Sequence, residues 1–437
     1  MTTVIRPAFG LQSCRRQAFR YFSTSSPKGT EPALPVTTKR KRVVLSGIQP
    51  TGVPHLGNYL GALSNWVVLQ KESSPEDDLL FTIVGWHALT LPQIPKQLAQ
   101  SRLDMLAVLL AIGIDPKRSI VFHQDHNPLH TELAWILNCI TPMGKLRRMT
   151  TWKSRLAASK SMHDSYEVDE TSLNVGLFTY PVLQAADILV YRATHVPVGE
   201  DQTQHLELSR DLADQFNRTF KGCNHMFPLP SQLNTPSKRI LSLRDPTSKM
   251  SKSHPDVSSR ILLTDTDAEI AAKIRSAVTD SLAGITYDPV NRPGTSNLLT
   301  ILAACKLQDV LETAKEYETK NHGVLKRDVT EAVQEMLRGP REEFGRLKRE
   351  KDYLERVAAE GGLRARERAE ETMIQNYLNL LPTTSTARRQ RSGSLAHKCV
   401  LRCPSTRMTA SSPRLPCPMV WSKKQVVLKD KKSHQAG

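Results

Sequence analysis

No stretch of the 437 residues contains the run of about 18 apolar side chains that a bilayer-spanning helix needs, so no membrane partner is expected. Cysteine is scarce and scattered. Of seven, only Cys139, Cys223 and Cys305 lie away from the ends, and no two form a C-x-x-C pair. That argues against a zinc site or a disulfide scaffold and fits a reducing compartment. Acidic residues are nearly missing from both ends: residues 1–42 hold nine Lys or Arg against Glu31 alone, and residues 382–437 hold twelve against Asp430 alone. The body between carries 39 basic and 41 acidic residues, so the net charge of +17 belongs entirely to the ends. Bulk charge is therefore no argument that the body binds nucleic acid.

At the amino end, Arg6, Arg15, Arg16 and Arg20 alternate with Ile5, Phe9, Leu11 and Phe19, a pattern that permits a basic amphipathic helix. The apolar core of a secretory signal is missing. This is the composition of a mitochondrial transit peptide, and Arg20-Tyr21-Phe22 before Ser23 resembles a matrix-protease cleavage site. Residues 1–42 are read as a transit peptide with a basic linker, and the mitochondrial matrix as the destination; a plastid address or a merely basic terminus are the alternatives. Residues 382–437, rich in Ser, Thr, Arg and Pro, show no lasting period and bury too little apolar surface to offset their ordering entropy. They are expected to form a basic, low-complexity tail.

The body reads as α/β. Val43-Val44-Leu45-Ser46 is a short buried strand, followed by a turn-rich loop and a helix from near Gly57 to Leu69. Strands at 79–84 and 119–123 alternate with helices at 95–112 and 129–139. Such alternation predicts a Rossmann-type parallel sheet, over residues 43–266, with ligands held beyond the carboxyl ends of the strands. From Asp267 to residue 381 the pattern becomes wholly helical, with helices predicted at 267–279, 296–304, 307–319, 322–337, 340–350 and 353–378. Val324, Val329, Val333 and Leu337 supply one apolar face, while Pro340 and Gly361-Gly362 punctuate the later part. Arg346, Lys348, Arg349, Arg364, Arg366 and Arg368 fit either an RNA-facing surface or a solvated helix face alternating with glutamate.

Two short segments carry chemistry. His55-Leu56-Gly57-Asn58 falls between a strand and a helix, where free N–H groups and a side-chain-free Gly57 let a phosphate approach and His55 can donate to it. Thr247-Ser248-Lys249-Met250-Ser251-Lys252-Ser253-His254 places two lysines in a polar loop, a pair able to clamp pyrophosphate and neutralise charge on an α-phosphate. Either segment alone is equally well an ordinary helix start or a solvated loop. Together, in this order, they resemble the signature loops of class I aminoacyl-tRNA synthetases.

Within that class the wording is closest to the tryptophanyl-tRNA synthetases. Ser46-Gly47-Ile48-Gln49-Pro50-Thr51-Gly52, Gly57-Asn58-Tyr59-Leu60-Gly61-Ala62-Leu63, the stretch from Thr179 to Leu189, Val196–Gln202 and Ser276–Ser281 are all similar to that family, from about Val43 to Leu381. The resemblance implies ATP and L-tryptophan as substrates, Mg²⁺ bridging ATP oxygens without a protein cage, tRNA(Trp) as partner, a homodimer, and an anticodon-binding domain over 267–381. It assigns His55, Asn58, Lys249 and Lys252 to catalysis. Gln49, Pro50, Thr51, Gly57, Asn58, Gly199, Glu200, Asp201 and Ile240 match positions around ATP, together with the loop Lys249, Met250, Ser251, Lys252 and Ser253. Asp187 would accept the indole N–H; Tyr180, His87 and Gln202 would border the amino acid. No resident metal site is implied.

Three departures stand out. Leu45 replaces an aromatic common in bacterial relatives, which implies a different pocket floor. Gly85-Trp86-His87 replaces an acidic-first triplet and leaves His87 without an evident partner. Ser159–Asn174 reads as a longer, more acidic surface loop. Three rival functions remain at this level. A tyrosyl-tRNA synthetase would need a phenol-recognising pair and usually departs from K-M-S-K-S. A synthetase-derived RNA-binding or splicing factor has only the basic tail in its favour. A small-molecule nucleotidyltransferase accounts for the first loop but not for the helical half.

Overall fold

The computed structural model describes residues 41–159, 173–199, 202–220, 225–233, 239–252 and 254–380. The predicted transit peptide apart from its last two residues, the predicted tail beyond Leu380, most of the predicted acidic loop, and Glu200, Asp201 and Ser253 lie outside the described residues.

Five strands form one parallel sheet: β1 (Val43–Ile48), β2 (Asp78–Ile83), β3 (Ile120–His123), β4 (His195–Pro197) and β5 (Ser231–Leu233), in the order β3-β2-β1-β4-β5. Val44, Leu45, Phe81, Ile83, Val121 and Phe122 are buried, as expected of strands covered on both faces. Register pairs Leu45 with Leu80 and Phe81 with Val121, while β1 meets β4 at Val44 and His195. The order reverses between β1 and β4, which places a crevice at their carboxyl ends.

After β1, α1 (Leu56–Asn58), a π-helical turn (Tyr59–Leu63) and α2 (Ser64–Glu72) follow without a break. Then come α3 (Gly85–Ala88), α4 (Pro95–Ala111), α5 (Leu129–Ile140), α6 (Met143–Arg148), α7 (Thr151–Ser159), α8 (Val175–Leu189) and α9 (Thr203–Thr219). The predicted strands and helices of this half are present within two or three residues.

The second half holds α10 (Asp267–Arg275), α11 (Pro293–Lys306), α12 (Val310–Tyr317), α13 (His322–Arg349) and α14 (Lys351–Leu380). Thr266 and Glu269 close a capping box on α10, and Asp309 and Asn321 cap α12 and α13, each satisfying N–H groups that a helix start leaves open. The described residues up to Gln375 belong to one compact unit; of the second unit only residues 376–380, at the end of α14, are described.

Pro340 does not divide two helices, as its position suggested, but lies inside α13. Its ring and Phe344 close on Val108, Ala111 and Ile112 at the end of α4. A proline forfeits one main-chain hydrogen bond, at about 3 kcal/mol in an exposed helix; here its apolar contacts against α4 oppose that loss. The Arg-rich faces divide the same way. Arg346 pairs with Glu343 and Glu350, Arg366 with Glu370, and Arg368 with Asp78 and Glu371. Arg364 donates to the Pro116 carbonyl at 2.7 Å. Each of these four arginines thus has a partner within the chain.

Gly361 is required by close approach. A side chain there would begin inside the Val121 carbonyl of edge strand β3, and Ala358, Ala365 and Ala369 keep the same face of α14 small. Helix α14 thereby covers an edge that would otherwise offer open backbone groups. Gly361→Ala is expected to cost about 1–3 kcal/mol through forced separation of helix and strand. Gly345→Ala, in α13 with no atom within 4 Å of a new Cβ, should instead stabilise by about 0.5–1 kcal/mol. Urea unfolding of the two variants checks both signs.

Candidate active site

A cavity of about 330 Å³ opens at the carboxyl ends of β1 and β4, where the strand order reverses. The first strand delivers Leu45 to Ile48, the following loop Gln49, and the first helix Asn58; α8 contributes Tyr180, Gln184 and Asp187, and β4 leads to Gly199 and Gln202. Leu45 does form part of the wall. A larger cavity of about 910 Å³ lies near the amino ends of β1 and β4, beside Val43 and Thr194, and contains neither motif. Position at the switch point and the chemistry of the lining favour the smaller one.

Its most unusual feature is a buried acid. Asp187 is 3% exposed, yet three donors reach it: His87 Nε2 to Oδ2 at 2.8 Å, and Gln124 Nε2 and His130 Nδ1 to Oδ1, both at 2.7 Å. Burial pushes the carboxyl up, but the charge and hydrogen bond of His87 and the hydrogen bond of His130 outweigh it and hold the acid below the usual carboxylate range. The partner of His87, not evident from its triplet, is thus Asp187, 100 residues away. Gly85 is also explained. Asp125 Oδ1 stands 2.5 Å from where a Cβ of residue 85 would be, held there as Asp125 pairs with Arg102 at 2.6 Å. Gln124 Oε1 accepts the Trp86 N–H at 2.9 Å, so the end of β3 shapes the His87 turn.

On the other side Tyr180 lies under the Arg155 guanidinium, 4.4 Å from the ring centre. Its hydroxyl meets His205 Nε2 at 3.0 Å, and His205 Nδ1 meets Gln202 Oε1 at 2.9 Å. Arg155, Gln124, His130 and His205 were not singled out from sequence, and Gln184 only as a letter of the α8 stretch. Apart from Gln184, each lies in a segment with no motif of its own, and only the packing of α5, α7, α9 and the end of β3 brings them in.

A second cluster sits beside the cavity. Leu241 and Lys249 pair as an antiparallel bridge, with the Ser242 N–H on the Ser248 carbonyl and the Met250 N–H on the Ile240 carbonyl, so the K-M-S-K-S segment forms one arm of a hairpin. Ile240 and Met250 are buried; neither belongs to the cavity wall. Asn297 of α11 holds Leu241 through both its N–H and its carbonyl. Lys249 is exposed and Ser251 half-buried. Lys252 reaches across to the first loop, donating to the carbonyls of Gly52 at 2.8 Å and Thr51 at 3.2 Å and to Thr51 Oγ1 at 3.3 Å.

His55 lies beneath, buried, with Pro50 and Gly57 also buried nearby in the chain. The Asn58 N–H donates to His55 Nδ1 at 3.2 Å, and Asn58 Oδ1 accepts the His55 N–H, a capping box built from the H-L-G-N letters themselves. Burial, then Lys252, Lys249 and Arg260, depress the imidazole to about 4. At neutral pH it is uncharged, and with Nδ1 accepting, the proton resides on Nε2, available as a donor. Glu200, Asp201 and Ser253 lie outside the described residues.

A family model described as tRNA synthetases class I (W and Y) matches residues 37–338. The chain belongs to this family. It is 44% identical over 324 residues to the mitochondrial tryptophan–tRNA ligase of Schizosaccharomyces pombe, covering 73% of this chain and 89% of the relative. Against the mitochondrial tryptophan–tRNA ligase of Saccharomyces cerevisiae it is 43% identical, over 75% and 87% of the two chains. Among solved structures, the tryptophanyl-tRNA synthetase of Mycoplasma pneumoniae superposes with a TM-score of 0.68 at 33% identity, over 79% of this chain and 99% of that one. The tryptophanyl-tRNA synthetase of Campylobacter jejuni, complexed with ADP and tryptophan, gives 0.63 at 32%, over 77% and 99%. The parallel sheet followed by helices is this family's class I fold.

Lys252 is held below the ordinary lysine range. Burial first, and Arg260 second, lower its ammonium to about 8. It is a cation below that value and neutral above. Because kcat/KM reports groups of the free enzyme, kcat/KM for ATP should fall as pH rises through about 8. Lys252→Arg, whose guanidinium stays charged, should remove that alkaline limb at a lower plateau; a limb that persists in the arginine variant would assign the titration elsewhere.

Proposed function

We propose that the chain activates L-tryptophan with ATP and transfers it to tRNA(Trp), releasing AMP and diphosphate. The observation that carries this reading is Asp187: an ionised acid enclosed at the back of a largely apolar cavity, next to a cationic loop. With three of its acceptor positions filled by the protein and one left toward the cavity, it is fitted best by a flat apolar ring that carries one N–H donor. Tyr180, His87 and Gln202 would border that ring and its ammonium, and Gln49, Pro50, Thr51, Gly57, Asn58, Gly199, Glu200, Asp201 and Ile240 the nucleotide.

In the first step a tryptophan carboxylate oxygen attacks the α-phosphate, and the bond to the β-phosphate bridging oxygen breaks. Negative charge grows on the α-phosphate oxygens and on the departing pyrophosphate. His55, donating from Nε2, and Lys252 and Lys249 of the second loop would meet that charge with Met250, Ser251 and Ser253 shaping their loop. Phosphate oxygens would replace the Thr51 and Gly52 carbonyls that Lys252 now holds. In the second step the terminal ribose of the tRNA, through its 2′-hydroxyl, attacks the adenylate carbonyl and AMP leaves. No protein nucleophile is required, because positioning and electrostatics lower both barriers.

Mg²⁺ on ATP would add charge neutralisation at the phosphates. Among the described residues no set of three His, Cys, Asp or Glu side chains is gathered for a metal, and such an ion can be carried by phosphate and water oxygens instead. We assign residues 1–42 to import into the mitochondrial matrix, 43–266 to catalysis, 267–381 to anticodon binding and 382–437 to a basic tail. Among the described residues no helix is long and apolar enough to cross a membrane.

The purified chain 23–381 should exchange labelled pyrophosphate into ATP with tryptophan, but not with tyrosine or phenylalanine. Asp187→Ala should lower tryptophan-dependent exchange by about 100-fold or more, the scale of leaving a buried donor and its companions unpaired. Exchange supported by tyrosine would overturn the specificity, and a folded chain inert with every amino acid would favour an RNA-binding role.

We also propose a homodimer. On α5, Trp135 is 72% exposed, and Met143 and Val175 on the adjoining α6 and α8 are 57% and 75% exposed. Large apolar side chains so placed suit an interface between copies. Trp135→Glu should shift the sedimenting species toward monomer; an unchanged dimer would place the interface on another face.

A further inference from the structure

The hydrogen bonds around Asp187 extend beyond the cavity wall as one continuous row. Asn127 Nδ2 donates to the Tyr191 hydroxyl oxygen at 3.0 Å, and the Tyr191 hydroxyl meets His130 Nε2 at 2.7 Å. His130 Nδ1 in turn meets Asp187 Oδ1 at 2.7 Å. Asn127, His130 and Gln124 are wholly buried, and Tyr191 nearly so. One assignment satisfies the whole row: the Tyr191 O–H donates to Nε2 of His130, whose Nδ1–H donates to the carboxylate. Burial pushes the Tyr191 phenol up, so its proton stays in place. The tautomer of His130 is thereby set by a tyrosine that never reaches the ligand.

A carboxylate offers about four lone-pair positions. Gln124 and His130 occupy both on Oδ1, and His87 occupies one on Oδ2. One position is left. Asp187 and His87 line the cavity, whereas Gln124 and His130 do not, so the remaining acceptor is on Oδ2, the oxygen shared with the cavity side.

We infer that His130, backed by Gln124 and oriented by Tyr191, is a positioning residue that makes Asp187 a reader of a single ring N–H. Without His130, Oδ1 regains an open lone pair, the carboxylate can turn about its bond to Cβ, and the acceptor is no longer aimed. The discrimination between a ring with the donor and one without it then falls. This rests on the tryptophan-activating reading above.

The test compares tryptophan with β-(3-benzothienyl)alanine, in which sulfur replaces the ring N–H, in pyrophosphate exchange by the full chain. In His130→Ala, kcat/KM for tryptophan should drop about 30-fold, through a higher KM for tryptophan, while the value for the sulfur analogue changes less than about threefold. The KM for ATP should not move. His130→Asn, whose amide N–H can replace Nδ1–H, should regain most of the discrimination, and Tyr191→Phe should lose part of it, about threefold. Equal losses for both substrates, a raised KM for ATP, or discrimination unchanged in active variants would overturn the inference while leaving the activity assigned. If His130→Ala fails to fold, the Asn and Tyr191→Phe arms decide it. No tryptophan-dependent exchange by the wild-type chain would overturn the underlying reading itself.

Discussion

An ionised carboxylate enclosed by protein loses most of its hydration, and a fold can hold it only by surrounding it with donors. Asp187 imposes that constraint here. Satisfying it draws in His87 from the turn after β2, Gln124 from the end of β3 and His130 from α5, and indirectly fixes Tyr191 and Asn127. Segments remote in sequence are therefore positioned relative to α8 by one negative charge. The cavity beside it inherits their rigidity, which is what a selective site requires.

The phosphate corner follows a different logic. There the excess charge is positive, and the protein tolerates it by depressing the His55 imidazole and partly depressing the Lys252 ammonium. Lys252 finds partners in the Thr51 and Gly52 carbonyls. A lysine on backbone oxygens is readily transferred to phosphate oxygens, since both are hard acceptors and the phosphate adds charge. Asn297 links the same hairpin to α11, so the helical half supports the loop that carries Lys249 and Lys252.

The alternation of strands and helices, the two signature loops and Asp187 were all legible in the chain, because each is local: a period of 2 or 3.6, a turn-rich loop, an acid in an apolar run. Helix ends were less so. Pro340 looked like a stop and is not one, since its contacts with α4 come from more than 200 residues earlier in the chain. Gly85 looked like a missing acid. The space beside it is taken by Asp125, from the turn after β3. The basic residues of α13 and α14 fit RNA and solvent alike; Arg346 and Arg366 pair with glutamates one turn away on their own helices, and tertiary packing adds Asp78 for Arg368 and the Pro116 carbonyl for Arg364.

Local spacing was enough to predict the class of fold and the order of its parts, and to mark the two loops whose resemblance points to phosphate, for those depend on residues a few positions apart. Which side chains share the cavity depended on the strand order β3-β2-β1-β4-β5 and on how α5, α7, α8 and α9 pack beside it. His130 illustrates the division. Nothing next to it in the chain marks it, yet it stands 2.7 Å from a carboxylate 57 residues away. Contacts of that kind are decided when whole faces are buried together, and burial is a property of the assembled sheet and helices rather than of any segment.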